Sequence, residues 1–250
     1  MNKLLVKPLA LTLFARDILL DYLSPPRCVA CGNGNLWLCR NCNLSLGPAP
    51  ELVCPGCLEL EPYGSVCPNC LPLAVPLNQL VSGFAYESRT FHRALAVYKE
   101  QGNRHLSGVL AHRLAFQLKR FLSAQTRPIV VPIPCSRLRR RSRGFDQAEL
   151  LARIIAARLN LECRPQVLQR SAKRGHAQKG LGILERRRAL IGAFAVTSDT
   201  HLLAPCRDRG VLLVDDVATS LATLETCAEL LRAVGMRDVR AAVLAHAALT

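Results

Sequence analysis

Val211-Leu212-Leu213-Val214-Asp215-Asp216-Val217-Ala218-Thr219-Ser220-Leu221-Ala222-Thr223 is the stretch that decides the fold. Four consecutive apolar residues predict a strand buried on both faces, as in parallel sheets. Asp215 and Asp216 follow at its carboxyl end. The turn Ala218-Thr219-Ser220-Leu221-Ala222-Thr223 then opens a helix expected over Thr223–Val234. Free backbone N–H groups and the dipole at a helix N-terminus favour a phosphate, and Thr219, Ser220 and Thr223 add hydroxyl donors. Two adjacent carboxylates can accept from sugar hydroxyls, directly or through Mg2+. The plainer reading of the same residues is an acidic helix cap at the end of a buried strand.

Working outward, Pro128–Ile133 (PIVVPI) is a second buried strand, and Gln147–Asn160 has helical spacing with Asp146 placed to cap it. Leu80–Tyr86 reads as a strand, His92–Phe121 as two helices or one bent helix interrupted at Gly102, and Val239–His246 as a closing strand. Strands alternating with helices predict an α/β fold, a mostly parallel sheet flanked by helices, with ligands beyond the carboxyl ends of its strands. Leu71–Asn78, rich in proline, reads as a linker. The expected organisation is an N-terminal helix within 1–26, a cysteine module over 27–72 and the α/β domain over 80–250.

Half of the 250 residues are hydrophobic and a fifth charged, which excludes a disordered chain. Only 5% are aromatic, so the core must be Leu, Val and Ala. The net charge of +15 is unevenly spread: residues 1–75 carry five basic and five acidic side chains, whereas 127–188 carry 16 basic against 4 acidic. Arg137, Arg139, Arg140, Arg141 and Arg143, then Arg170, Lys173, Arg174 and Arg186, form a dense cationic surface suited to phosphate oxygens of a small ligand or a nucleic acid. That stretch holds one aromatic residue, Phe145. Contact with single-stranded DNA would therefore run through phosphates with weak sequence specificity. Leu4–Leu23 is apolar at helical spacing but is broken by Lys7, Arg16, Asp17 and Asp21, too interrupted to span a bilayer. It carries no secretory signal, which predicts a cytoplasmic protein.

Eight of the twelve cysteines form C-x-x-C pairs: Cys28/Cys31, Cys39/Cys42, Cys54/Cys57 and Cys67/Cys70. A C-x-x-C turn sets two thiolates on one side of a knuckle, and two knuckles complete a tetrahedral shell of four sulfurs. Two structural zinc sites are expected, with no open coordination position for chemistry. Sequential pairing gives 28/31/39/42 and 54/57/67/70; a cross-braced pairing of alternate knuckles fits the spacing equally. Cys135, Cys163, Cys206 and Cys227 are isolated and read as small apolar residues.

The strand, acids and turn resemble the phosphoribosyl pyrophosphate (PRPP) motif of type I phosphoribosyltransferases. Val130-Val131-Pro132-Ile133-Pro134 with Arg143-Gly144-Phe145-Asp146-Gln147, and Gln169-Arg170 through Gly192-Ala193-Phe194, resemble signatures of the ComF/GntX family. That family joins a double zinc ribbon to a phosphoribosyltransferase-like domain and is associated with natural competence. The resemblance implies Asp215 and Asp216 as catalytic acids holding ribose and Mg2+, residues 218–223 as the 5′-phosphate loop, and the arginines near 137 as the pyrophosphate loop. Lys173, Arg174 and Arg186 would lie in the hood over the site. Three positions depart from the pattern: Asp146 for Asn, Ala189 for Asn and Leu221 for Gly. At Leu221 the departure implies either a remodelled turn or weaker phosphate binding. The resemblance implies three functions. The first is handling of internalised single-stranded DNA during uptake; the second is Mg2+-dependent transfer from PRPP to a nitrogenous acceptor. The third is docking of a partner such as a helicase-like ATPase of the uptake machinery.

Overall fold

The computed structural model describes residues 25–47, 52–100, 103–122, 127–171 and 190–247. The expected helix over Leu4–Leu23 lies outside them, as do Lys173, Arg174, Arg186 and Ala189.

Four parallel strands make the central sheet: β1 (Gln79–Ser82), β2 (Ile129–Pro132), β5 (Val211–Ala218) and β6 (Val239–His246), in the order β1-β6-β5-β2. A two-stranded antiparallel ribbon, β3 (Leu168–Arg170) with β4 (Phe194–Val196), stands apart from it. The helices are α1 (Arg40–Leu44), α2 (Arg89–Glu100), α3 (His105–Leu118), α4 (Arg137–Arg143), α5 (Gln147–Leu159), α6 (Thr200–Arg209) and α7 (Ala222–Ala233). This is the expected α/β architecture.

Because a strand's side chains alternate between faces, the sheet carries two apolar surfaces. Ile129, Val131, Val211, Leu213, Val239, Ala241 and Val243 join a core with Leu224, Cys227, Ala228 and Leu231 of α7 and Leu203 and Cys206 of α6. The opposite face packs on α3 and α5, whose Leu106, Leu110, Leu114, Leu151 and Ile155 are fully buried. Each such side chain contributes about 1.5–3 kcal/mol relative to exposure. With so few aromatics, small residues let helices sit close on the sheet, Ala152 and Ala156 from α5 and Ala111 and Ala115 from α3.

Two local readings are corrected. β5 does not stop at Val214: it pairs with β6 as far as Ala218–His246, so both acids sit within the strand. The expected strand Leu80–Tyr86 ends at Ser82, and Gly83 and Phe84 turn away while donating to Leu244 O.

The chain divides between Ser45 and Leu46 into two compact units, so the two cysteine groups fall in different ones. In the larger unit the segment after the second group runs through a short 3-10 turn, Leu71–Leu73, and then buries Leu77 completely.

Candidate functional site: an acidic pair beside an arginine helix

β2 and β5 are neighbours, with Pro132 opposite Val214 and the Ile133 N–H donating to Val214 O at 2.9 Å. The chain leaving β2 therefore stands next to Asp215 and Asp216, and it leads directly into α4. The five arginines expected in a loop wind into a helix, because Ser136 caps its start by accepting from the Arg139 N–H (3.3 Å) and Gly144 ends it at φ 76°. Arg137, Arg139, Arg140 and Arg141 are exposed, and Arg140 reaches Glu149 at 3.6 Å.

Behind α4 the chain is locked. The buried Asp146 carboxylate caps α5, accepting from Glu149 N–H at 3.2 Å, and also accepts from Cys135 N–H at 2.9 Å. One carboxylate thus ties the residue after β2's prolines to the start of α5. Gln147, also buried, accepts from Arg143 Nη1 (2.5 Å) and donates to Tyr98 O (2.8 Å). The Tyr98 hydroxyl donates back to Gln147 O at 3.0 Å. These bonds fix the last turn of α2 against the end of α4.

The next residue, Lys99, reaches Asp216 Oδ2 at 3.0 Å. Among the described residues no lysine or arginine is ion-paired with Asp215. Its carboxylate accepts from the Asp216 N–H (2.7 Å), while burial and the neighbouring Asp216 charge push its pKa up to about 8. Arg170 of β3, stacked over Phe194 at 4.9 Å, lies within electrostatic reach of Asp215; burial and then Arg139 lower its pKa.

Beyond the acids, Thr219 is exposed and α7 begins at Ala222 with no side-chain cap. Its first-turn N–H groups are not taken by a hydroxyl. Leu221 does not occupy the cradle: it adopts φ −65° and is buried in the core with Leu224. The turn needs no glycine there because its backbone is ordinary right-handed. Ala218 is buried as well, whereas Thr223 is half-buried in the first turn of α7. Two hard carboxylate oxygen donors beside an uncapped helix start fit a divalent cation and a sugar phosphate. Lys99, Tyr98 and the placement of Arg170 within electrostatic reach of Asp215 carry no motif signature in the sequence. His246, at the end of β6 beside Ala218, likewise carries none; its Nε2 is buried without a hydrogen-bond partner among the described residues.

The eight paired cysteines gather sequentially: Cys28, Cys31, Cys39 and Cys42 in one group, Cys54, Cys57, Cys67 and Cys70 in the other, with ligand atoms within 4.8 Å of one another. The cross-braced pairing is thereby excluded. Backbone N–H groups aim at the sulfurs, Cys39 N–H at Cys28 Sγ (3.4 Å) and Gly56 and Cys67 N–H at Cys54 Sγ (3.3 Å each). Burial alone would raise the Cys28 and Cys54 thiols, yet these donors outweigh it and hold them near 6 and 7. Cys42 and Cys70 are instead pushed up to about 12, by burial and then by neighbouring thiols. Four thiolates together need a cation, and each group is arranged to hold one. Cys135, Cys163, Cys206 and Cys227 stand apart, each with its thiol pKa raised chiefly by burial.

Residues 145–248, which run from the end of α4 through β6, match the phosphoribosyl transferase domain family. That match and the parallel sheet make the α/β unit phosphoribosyltransferase-like, and the matched stretch contains the acidic pair, the turn and α7. Across most of its length the chain is also similar to Competence protein F of Haemophilus influenzae, 28% identical over 230 residues that cover 88% of this chain and 97% of that protein. Two four-cysteine groups ahead of such a domain, together with this similarity, are the arrangement that the resemblance to the ComF/GntX family implies. Among the described residues no helix is long and apolar enough to cross a membrane.

Proposed function

We propose that this is a ComF-type, cytoplasmic DNA-uptake protein that handles internalised single-stranded DNA on a phosphoribosyltransferase-like scaffold, with a structural zinc ion in each four-cysteine group. The observation that carries the reading is α4: a helix with Arg137, Arg139, Arg140 and Arg141 exposed, standing at the carboxyl edge of the sheet. Similarity to a protein named for competence supports it. Arginine forks suit phosphate oxygens of a backbone without reading bases. Substituting Arg139, Arg140 and Arg141 by Glu should weaken binding of a single-stranded oligonucleotide and flatten its dependence on log salt by about two units, at roughly 0.7 per phosphate lost. An unchanged slope would remove α4 from the contact.

A second reading, Mg2+-dependent use of PRPP with a nitrogenous acceptor, is favoured by the uncapped start of α7 and by Leu221 lying out of the cradle. Asp215 and Asp216 would hold the ion and the ribose hydroxyls, the 218–223 turn the 5′-phosphate, and α4 the pyrophosphate. Arginines there would stabilise charge on the departing group. Calorimetric titration of PRPP with Mg2+, against Asp215→Asn/Asp216→Asn, decides it: micromolar binding lost in the double variant supports the reading, and no binding by the wild type ends it.

A further inference from the structure

Two carboxylates placed side by side repel each other, and in this protein one of them already has a cation. Lys99 Nζ lies 3.0 Å from Asp216 Oδ2, both side chains are half-buried, and Lys99 comes from the last turn of a helix far from β5 in sequence. The ammonium is not there by chance of surface charge. Its helix is pinned one residue earlier: the Tyr98 hydroxyl and carbonyl are both bonded to Gln147, and Gln147 is bonded to Arg143 of the arginine helix. A lysine held this way on a rigid turn has its reach set by the fold, and its flexible stem leaves the charge free to swing within that reach.

We propose that Lys99 is a displaceable counter-ion of the acidic pair: it occupies Asp216 when the site is empty and yields it only to a ligand whose own phosphate oxygens take over the ammonium. The inference rests on the sugar-phosphate reading of the site and adds a rule for occupancy. A divalent ion alone meets a pair that is half neutralised and an ammonium in its way. An ion arriving with a diphosphate-bearing ligand brings an alternative anion for Lys99, which frees Asp216 for the ion or for sugar hydroxyls. Binding of ion and ligand is then mutually dependent, and reciprocity requires each to strengthen the other. Lys99 is a positioning residue, acting through Asp216 on whatever the pair holds.

The test uses Mn2+ alone, followed by electron paramagnetic resonance, on wild type, Lys99→Gln and Lys99→Arg in the full-length, metal-loaded protein. Loss of an ammonium close to a divalent ion should tighten Mn2+ binding by about tenfold or more, while Lys99→Arg keeps the wild-type affinity. In parallel, Mg2+-dependent PRPP binding should weaken in Lys99→Gln, so the two affinities move in opposite directions. Equal Mn2+ affinity in wild type and Lys99→Gln overturns the proposal, as does a rise of both affinities together. A thermal melt of each variant keeps a folding defect apart from these outcomes. The Asp215→Asn/Asp216→Asn control separates the underlying reading. PRPP binding unaffected by it would end the sugar-phosphate reading, while the Mn2+ arm still decides whether Lys99 guards the pair.

Discussion

The two cysteine groups have the same ligands and nearly the same spacing, yet they are embedded differently. In the first unit, the described residues close on themselves through Cys28 N–H to Asn33 O and Val29 N–H to Trp37 O, and only Cys28, Ala30 and Leu38 are buried. The second group is welded to the sheet. Leu80 of β1 donates to Gly64 O at 2.7 Å, Ser65 forms an antiparallel bridge with Gln79, and Val53 belongs to the same core as α7. Gly64 sits so close that a Cβ would lie 2.2 Å from Leu80 O. The same four-cysteine arrangement therefore has two settings: in one, few of the described residues around it are buried, and in the other it buttresses an edge strand of the phosphoribosyltransferase-type domain.

The largest effect should come from the ligands themselves. Cys54→Ser should lower the stability of the main unfolding transition by about 3–5 kcal/mol, whereas Cys28→Ser should leave that transition in place and lose only the order of its own loop. Chemical denaturation followed by circular dichroism, with exchange of the Leu80 amide as a local probe, separates the two; an equal shift for both would break the comparison. Next come the glycines. Gly64→Ala, with φ +64° and a backbone oxygen in its way, should cost about 3 kcal/mol; Gly32→Ala, with φ +78° but open space around it, should cost only about 1 kcal/mol for its left-handed backbone.

Acidity sharpens the contrast further. In metal-free protein Cys54 titrates near 7, below its ordinary value near 9. Its folded pKa is depressed, so its contribution to stability is present above 9 and lost as the pH falls through 7. That loss should appear in the melting of the large unit and vanish in Cys54→Ser. Cys28, held near 6, should lose its contribution about one pH unit lower, without moving the main transition.

What could be read from sequence divides along the same line between local and distant causes. C-x-x-C knuckles, the buried run Val211–Val214 and the cap at Asp146 are written in neighbouring residues, and all of them form as expected. The arginine helix was legible too, in Ser136 before it and Gly144 after it, but the resemblance to phosphoribosyltransferases assigns these arginines to a pyrophosphate loop. The extension of β5 through two aspartates was not legible, since only pairing with β6 sustains it. Nor was the Lys99–Asp216 contact, which depends on α2 and β5 meeting across the sheet's carboxyl edge. The seam between the second cysteine group and β1 is made largely of backbone hydrogen bonds, which leave no mark on side-chain composition.

That seam gives the smallest and most discriminating prediction. Besides the main-chain bonds and the packing of Val53, a side-chain hydrogen bond crosses it: Gln79 Nε2 donates to Tyr63 O at 2.6 Å, in an exposed position. An exposed hydrogen bond is exchanged for one to water when lost, so it contributes little net free energy. Gln79→Ala should therefore lower the stability of the large unit by only about 0.5–1 kcal/mol and leave metal retention by Cys54, Cys57, Cys67 and Cys70 unchanged. The measurement is denaturant unfolding alongside a chelator-competition assay for bound metal. A loss as large as that of Gly64→Ala would mean that the seam hangs on this side chain and that the second group is only tethered to the sheet. A small loss, with Gly64→Ala costly, would mean that the backbone carries it, which is what makes one cysteine group part of the domain and the other a unit of its own.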